Sequence, residues 1–209
     1  MIPVKICGLT READAALAWA RGASALGFIL YPASPRAVTA QRVREIRRAL
    51  PPEAFCVGVF VDEDPGRVNA AADEAGLDAV QLHGRETPDV CAAIARPVLK
   101  AIRPEAVEHL DDYPVAGFLL DAFHPVLAGG TGLTADWALA GRLARRHPLI
   151  LAGGLHAGNV LDAARRVGPA GLDVCSGVES APGIKDPDRL IALLDITTLK
   201  GERPCMLQR

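Results

Sequence analysis

The sequence predicts an α/β chain folded as a single-domain (β/α)8 TIM barrel. Three observations point there. Short apolar runs alternate with amphipathic segments along almost the whole chain, as strands alternate with helices in a parallel sheet. There are eight such runs, at a mean spacing of about 26 residues, which is compact for this fold but feasible. Half of the 209 residues are apolar and 23% are charged, a globular composition that excludes global disorder.

In order, the runs are residues 3–7, 25–30, 55–61, 78–82, 98–102, 115–121, 149–152 and 171–175. Each is too short for an ordinary helix and rich in Val, Ile, Leu or Phe, the composition of strands buried on both faces. Helical spacing follows. Val43, Ile46, Ala49 and Leu50 share one face; Val68, Ala71, Ala72 and Ala75 share another. Val160, Ala163, Ala164 and Val167 repeat the spacing, and Leu190, Leu193 and Leu194 close the series. Thr10, Thr39 and Thr134 are expected to cap helices, and Pro65, Pro88 and Pro187 to open them. The weakest helical pattern follows Arg103, where Pro104 and Pro114 stand close together. An open doubly wound sheet is disfavoured because Cys7-Gly8-Leu9 lacks the glycine-rich first turn. Residues 1–199 are assigned to the barrel and 200–209 to a loose tail.

Charge and composition narrow the partners. A formal charge of -2 and 4% aromatic residues offer neither a basic field nor stacking platforms, so nucleic acid is not expected. No run approaches the roughly 20 apolar residues of a membrane span. The N-terminal MIPVKICGLT has no basic region leading into a long apolar core, so no secretory leader is expected. Cys7, Cys56, Cys91, Cys175 and Cys205 are irregularly spaced and read as reduced thiols of a cytoplasmic protein. His109, His124, His147 and His156 have no metal-ligand spacing, so no metal is assigned.

In such a barrel chemistry gathers at the C-terminal ends of the strands. Those ends carry Cys7, the stretch from Tyr31 to Arg36, Asp62, His83, Arg103, Asp121, Gly153-Gly154 and Ser176-Gly177. Lys5 and Cys7 are two apart, hence on one face, where a cation favours the reactive thiolate; a small buried hydrophobe is the alternative. Asp121 ends an apolar strand, so it either caps the next loop or does acid–base work. The glycines ending strands seven and eight would admit a phosphate to backbone amides. Gly129-Gly130-Thr131-Gly132 is a further anion-facing loop or a lid. Arg36 is a surface charge or a bidentate partner for a carboxylate. Gln81 and His83 close strand four as candidate substrate contacts, His83 more readily as a hydrogen-bonded support than as a catalyst.

Together these residues resemble a known family. Lys5-Ile6-Cys7-Gly8-Leu9-Thr10, Gly27-Phe28, Tyr31-Pro32, Ser34-Pro35-Arg36, Val57-Gly58-Val59-Phe60-Val61 and Val80-Gln81-Leu82-His83-Gly84 stand in its order. So do Leu120-Asp121, Gly130-Thr131-Gly132, Asp136-Trp137, Leu151-Ala152-Gly153-Gly154-Leu155, and Asp173-Val174 with Ser176-Gly177-Val178-Glu179 and Pro182-Gly183-Lys185-Asp186. Over roughly residues 3–195 the chain resembles phosphoribosylanthranilate isomerase of tryptophan biosynthesis.

The resemblance implies a cofactor-free Amadori rearrangement of N-(5-phosphoribosyl)anthranilate, with no cofactor and no metal. It places the general base on Cys7, the general acid on Asp121, the anthranilate contact on Arg36, and the phosphate-binding backbone on Gly153, Gly154, Ser176 and Gly177. For the acid and base to differ, Lys5 should favour the Cys7 thiolate and the apolar Leu119-Leu120 should raise the Asp121 pKa. Two positions depart from the family's commonest residues. Cys175 stands for a serine and is expected to face the packing around the phosphate loop, with mild effect. Asp62 stands for an asparagine and adds a negative charge near the active face. A histidine-biosynthesis isomerase on the same fold would want a carboxylate where Cys7 stands, and a pentose phosphate epimerase would want metal ligands. A barrel that binds a phosphorylated ligand without turning it over is the remaining rival. Monomer and homodimer both stay open.

Overall fold

The computed structural model describes residues 2–103, 107, 109–121 and 137–197. The expected Thr134 cap, Pro104, Phe123, His124, the Gly129-Gly130-Thr131-Gly132 loop, Asp136, Cys205 and the 200–209 tail lie outside the described residues.

Eight parallel strands close into a barrel in sequence order. They are β1 (Val4–Ile6), β2 (Ala25–Ile29), β3 (Cys56–Phe60), β4 (Ala79–Leu82), β5 (Val98–Ile102), β6 (Gly117–Asp121), β7 (Leu149–Ala152) and β8 (Gly171–Val174). Each of the eight expected runs contains one of them, trimmed by up to two residues at an end. Closure is made by β1 against β8, with Lys5 opposite Asp173 and Ile6 opposite Val174.

Around the barrel lie α1 (Glu12–Ala20), α2 (Ala40–Arg48), α3 (Pro65–Ala75), α4 (Pro88–Ala92), α5 (Trp137–Ala144), α6 (Val160–Val167) and α7 (Pro187–Thr197). Pro65, Pro88 and Pro187 each open a helix as expected, because the missing N–H of proline costs nothing in a first turn. Thr39 caps α2 by accepting from Arg42 N. Thr10 does not cap α1; its hydroxyl donates to the Gly183 carbonyl across the mouth of the barrel, and the cap position falls on Arg11. Ala49 sits past the end of α2 and is exposed, while Val43, Ile46 and Leu50 are buried as the spacing predicts. Between β5 and β6 the described residues hold a 3-10 turn, Leu110–Asp112, in place of an α-helix. This is the segment whose helical pattern was weakest.

Alternation along each strand sorts side chains into two layers. One layer faces the helices and includes Ile6, Leu26, Phe28, Leu82, Phe118, Leu120, Leu151 and Leu172. The other fills the barrel axis with Ala25, Val57, Ala79, Leu99, Ala101, Leu119, Ile150 and Ala152. Each buried Leu or Ile contributes about 1.5–3 kcal/mol relative to exposure. The axial layer is small-residue on β2 and β4, and Lys5 shares the axis there, fully buried. After β8 a short antiparallel hairpin, β9 (Glu179–Ala181) with β10 (Ile184–Lys185), folds over the end of the barrel. The hairpin was not foreseen from the sequence, although Pro182-Gly183 marks its turn.

Candidate active site

A cavity of about 380 Å³ opens at the C-terminal ends of the strands. Cys7, Arg36, Gln81, His83, Asp121, Gly153, Gly154, Ser176 and Gly177 all line it. The residues expected to act as base, acid and substrate contacts are therefore brought to one place. Tyr31, Ser34, Asp173 and Cys175 line it too. Asp62 and Arg103 do not; the Asp62 carboxylate accepts from the backbone N–H of Arg85 at 2.5 Å and braces the neighbouring loop.

The β1 side is densely wired. Lys5 is fully buried and its Nζ donates to Asp173 Oδ1 at 2.8 Å. Burial works against the Lys5 charge, but Asp173 and then Cys7 outweigh it, so its pKa rises. Cys7 is 5% exposed. Its thiol is pulled down to about 7, first by a hydrogen bond from the Cys175 thiol and, against burial, by the Lys5 charge. Lys5 thus favours the thiolate as expected, but it is the smaller influence because Asp173 shares its charge. Cys175, one residue past β8 and two after Asp173, lines the cavity beside Ser176 and Gly177 and neighbours Cys7. Its own proton is held more tightly, chiefly because it bonds to the Cys7 thiolate.

Arg36 is fixed by Glu179. Nε donates to Oε1 at 2.9 Å and Oε2 at 3.1 Å, and Nη2 donates to Oε2 at 2.6 Å. Glu179 also accepts from Lys185 Nζ at 3.0 Å and Gly183 N at 3.2 Å. Burial disfavours the Glu179 charge, yet Arg36 and Lys185 bring its pKa below the ordinary value. Gly8 makes the close approach possible: with φ +73°, a Cβ there would stand 2.8 Å from Arg36 Cδ and 2.9 Å from Cys175 Sγ.

The far side is sparse. Gln81 Nε2 lies 2.8 Å from His83 Nδ1, and burial lowers the His83 pKa, so the neutral ring is a hydrogen-bonding support. Among the described residues the buried Gln81 Oε1 has no hydrogen-bond partner. Asp121 ends β6 exposed at the mouth. Among the described residues, the leucines expected to bury it do not cover it: Leu120 faces the helices and Leu119 lies one layer deeper on the axis.

At the ends of β7 and β8 the backbone bends sharply. Gly153 and Gly154 take φ of 93° and 60°. A Cβ on Gly177 would fall onto the Leu155 carbonyl, so only glycine lets the two loops touch. Asn159 ties the first loop together, donating from Nδ2 to the Gly154 carbonyl at 3.0 Å and accepting from His156 N at 2.8 Å.

The profile of the family described as N-(5'phosphoribosyl)anthranilate (PRA) isomerase matches residues 4–195. The chain belongs to this PRA isomerase family. The N-(5'-phosphoribosyl)anthranilate isomerase of Pelobacter propionicus is 49% identical over 189 residues, covering 89% of this chain and 90% of that protein. The crystal structure of phosphoribosyl anthranilate isomerase from Thermus thermophilus superposes with a TM-score of 0.83 at 41% identity, covering 93% and 97% of the two chains. Another PRA isomerase structure, in complex with reduced 1-(o-carboxyphenylamino)-1-deoxyribulose 5-phosphate, gives a TM-score of 0.79 at 38% identity, covering 93% and 97%.

Within this PRA isomerase fold, five contributors to the site had not been assigned to it from the sequence. Asp173 and Cys175 were findable by the same two-residue spacing that paired Lys5 with Cys7. Glu179 and Lys185 were not, because the hairpin that returns Lys185 to Glu179 leaves no periodic signal. Asn159 likewise acts through a local turn.

Proposed function

We propose that this chain catalyses the Amadori rearrangement of N-(5-phosphoribosyl)anthranilate to 1-(2-carboxyphenylamino)-1-deoxyribulose 5-phosphate, in tryptophan biosynthesis and in the cytoplasm, with Cys7 as general base and Asp121 as general acid. The observation that carries the assignment is that a thiol tuned to about 7 and a carboxyl from a different strand line one cavity. Among the described residues no helix is long and apolar enough to cross a membrane.

The phosphate is held by the backbone of Gly153, Gly154, Ser176 and Gly177, where glycine lets amides approach an anion. The anthranilate carboxylate meets Arg36. Nε and Nη2 of that guanidinium are committed to Glu179, which leaves Nη1 for the ligand and fixes its direction. Gln81 Oε1, buried and unpartnered among the described residues, accepts from a pentose hydroxyl, with His83 holding the amide in place.

Asp121 in its protonated form donates to the ring oxygen of the ribose. The C1–O bond breaks and the anilino nitrogen supplies the electron pair, giving a Schiff base cation. That cation acidifies the C2 proton, and the Cys7 thiolate removes it. The resulting enolamine is reprotonated at C1 as its C2 hydroxyl becomes the ketone. No atom enters or leaves overall, and no redox equivalent is needed. Each of the two groups contributes about 10²–10⁴-fold.

The test is turnover. Purified protein given the anthranilate substrate should quench its fluorescence at a rate proportional to enzyme. A folded protein that binds the reduced product analogue but leaves the fluorescence unchanged would be a binding barrel, and the proposal would fail. Monomer or homodimer is decided separately by light scattering on a sizing column.

A further inference from the structure

The β1–β8 ladder runs in parallel register through Ile6 and Val174, and Cys7 N continues it by donating to the Val174 carbonyl at 2.8 Å. Cys7 and Cys175 are therefore neighbours one step beyond the ladder, on strands spaced about 4.8 Å apart. That spacing falls inside the Cα separation a disulfide accepts, roughly 4.4–6.8 Å. Their side chains line the same cavity, and both thiols are free. We propose that Cys7 and Cys175 form an oxidisable dithiol, a site at which a peroxide writes a reversible disulfide across the mouth of the barrel.

The chemistry assigns a distinct part to each sulfur. Cys7 is the thiolate, so its sulfur attacks one peroxide oxygen. The O–O bond breaks, the departing oxygen leaves as hydroxide and is protonated to water, and Cys7 becomes a sulfenic acid. Sulfur has lost two electrons and the peroxide has gained them. The Cys7 charge that chiefly held the Cys175 proton is now gone; Glu179 Oε1, to which the Cys175 thiol donates at 3.8 Å, can accept the proton, and Lys185 Nζ, bonded to the Cys175 carbonyl at 3.0 Å, favours its loss. The Cys175 sulfur attacks the Cys7 sulfur, the S–O bond breaks, and the hydroxide leaves with the Cys175 proton as a second water. Two thiols and one peroxide give one disulfide and two waters. Cys56 and Cys91 do not compete. Both are buried, and burial pushes their thiols up, Cys56 to about 11, leaving little thiolate to react.

The bond itself follows from geometry; that it stops turnover rests on the proposed role of Cys7. The experiment separates the two. The full chain is treated with hydrogen peroxide, free thiols are alkylated, and a tryptic digest is searched for peptide 6–11 joined to peptide 167–185. The expected result is that cross-link, an intact mass lower by about 2 Da before alkylation, and turnover reduced about tenfold or more, regained with dithiothreitol. Cys175→Ser should give no cross-link, and its peroxide loss, measured against its own untreated rate, should resist dithiothreitol because Cys7 proceeds to the sulfinic acid. Sulfinic acid on Cys7 of the unaltered chain with no cross-link, or Cys7 joined to Cys56, Cys91 or Cys205, would overturn the proposal. A cross-link with undiminished turnover would uphold the dithiol and instead remove Cys7 as the base.

Discussion

Where β8 meets β1, buried Lys5 pairs with Asp173, and buried Lys185 and Arg36 share Glu179; across the mouth, among the described residues, Gln81 of β4, His83 just after it and Asp121 of β6 face the cavity. The first sector can hold a thiolate because its counter-charges are in place before any ligand arrives, and electrostatic preorganisation of that kind costs no rearrangement during reaction. Among the described residues, the second sector presents no such charged array to the cavity. Asp121, the proposed acid, stands exposed at the mouth. The proposed base is set by its neighbours; the proposed acid stands at an exposed strand end.

The largest effects should come from removing either member of that contrast. Cys7→Ala and Asp121→Asn are each expected to lower kcat by about 10²–10⁴-fold, with circular dichroism unchanged. The two losses should differ in character. Cys7→Ala removes deprotonation at C2, so solvent deuterium should no longer exchange there. Asp121→Asn blocks ring opening, and a substrate analogue already open should be processed more nearly normally. Near-normal turnover by a folded Cys7→Ala would break the comparison on its wired side.

The next effect is on stability and belongs to the wired sector alone. Glu179→Ala leaves Arg36 and the buried Lys185 without their shared counter-charge. Breaking a buried pair in this way costs about 3–5 kcal/mol, measurable as a lower urea midpoint at unchanged slope. Gln81→Ala, on the sparse side, should cost less because no charge is stranded. Equal losses at the two positions would mean the charged network contributes no more than ordinary packing.

This contrast also explains what was legible beforehand. The strand at residues 149–152 could be read to the residue because a doubly buried strand is an uninterrupted apolar run, and residues 98–102 likewise, with Lys100 the one break in theirs. The cavity residues at strand ends were readable because the fold places chemistry there. Asp121 was placed correctly but given the wrong surroundings, as exposure at a rim depends on packing that no local pattern records. Glu179 was seen only as part of a motif. Its role depends on Lys185 returning through a hairpin and on Arg36 arriving from the loop after β2, partners 143 residues apart. Long-range ion pairs carry no period, so the base could be named while most of the groups that tune it could not.

A smaller effect tests how that tuning is divided. With Cys7 at about 7, the acid limb of kcat/KM should fall near pH 7, since below it the thiol is protonated and cannot accept the C2 proton. The principal cause is the Cys175 hydrogen bond, ahead of Lys5. Cys175→Ala should therefore move the limb upward toward the ordinary thiol range and lower the rate at pH 7 several-fold, to roughly the degree a one-unit shift implies, while the plateau at high pH is retained. Cys175→Ser should restore the limb at least in part, because a hydroxyl also donates. A limb that stays put in Cys175→Ala would return the tuning to Lys5.

The smallest expected effect is at Asp62, and it marks the edge of the site. A negative charge beside an anionic substrate would ordinarily raise KM, and replacing it by a neutral residue would lower KM. The Asp62 carboxylate, however, accepts from Arg85 N, and the Asp62 N–H donates to the buried Glu86, which Lys100 neutralises at 2.8 Å. The residue stands in the left-handed region at φ 49°, a conformation asparagine tolerates as readily as aspartate. Its side chain thus closes a loop outside the cavity, and solvent and salt screen what remains of its charge. Asp62→Asn should leave KM unchanged at physiological ionic strength. A several-fold fall in KM that disappears as salt is raised would show that the charge is felt at the mouth after all, and would extend the electrostatic sector from β1 and β8 round to β3.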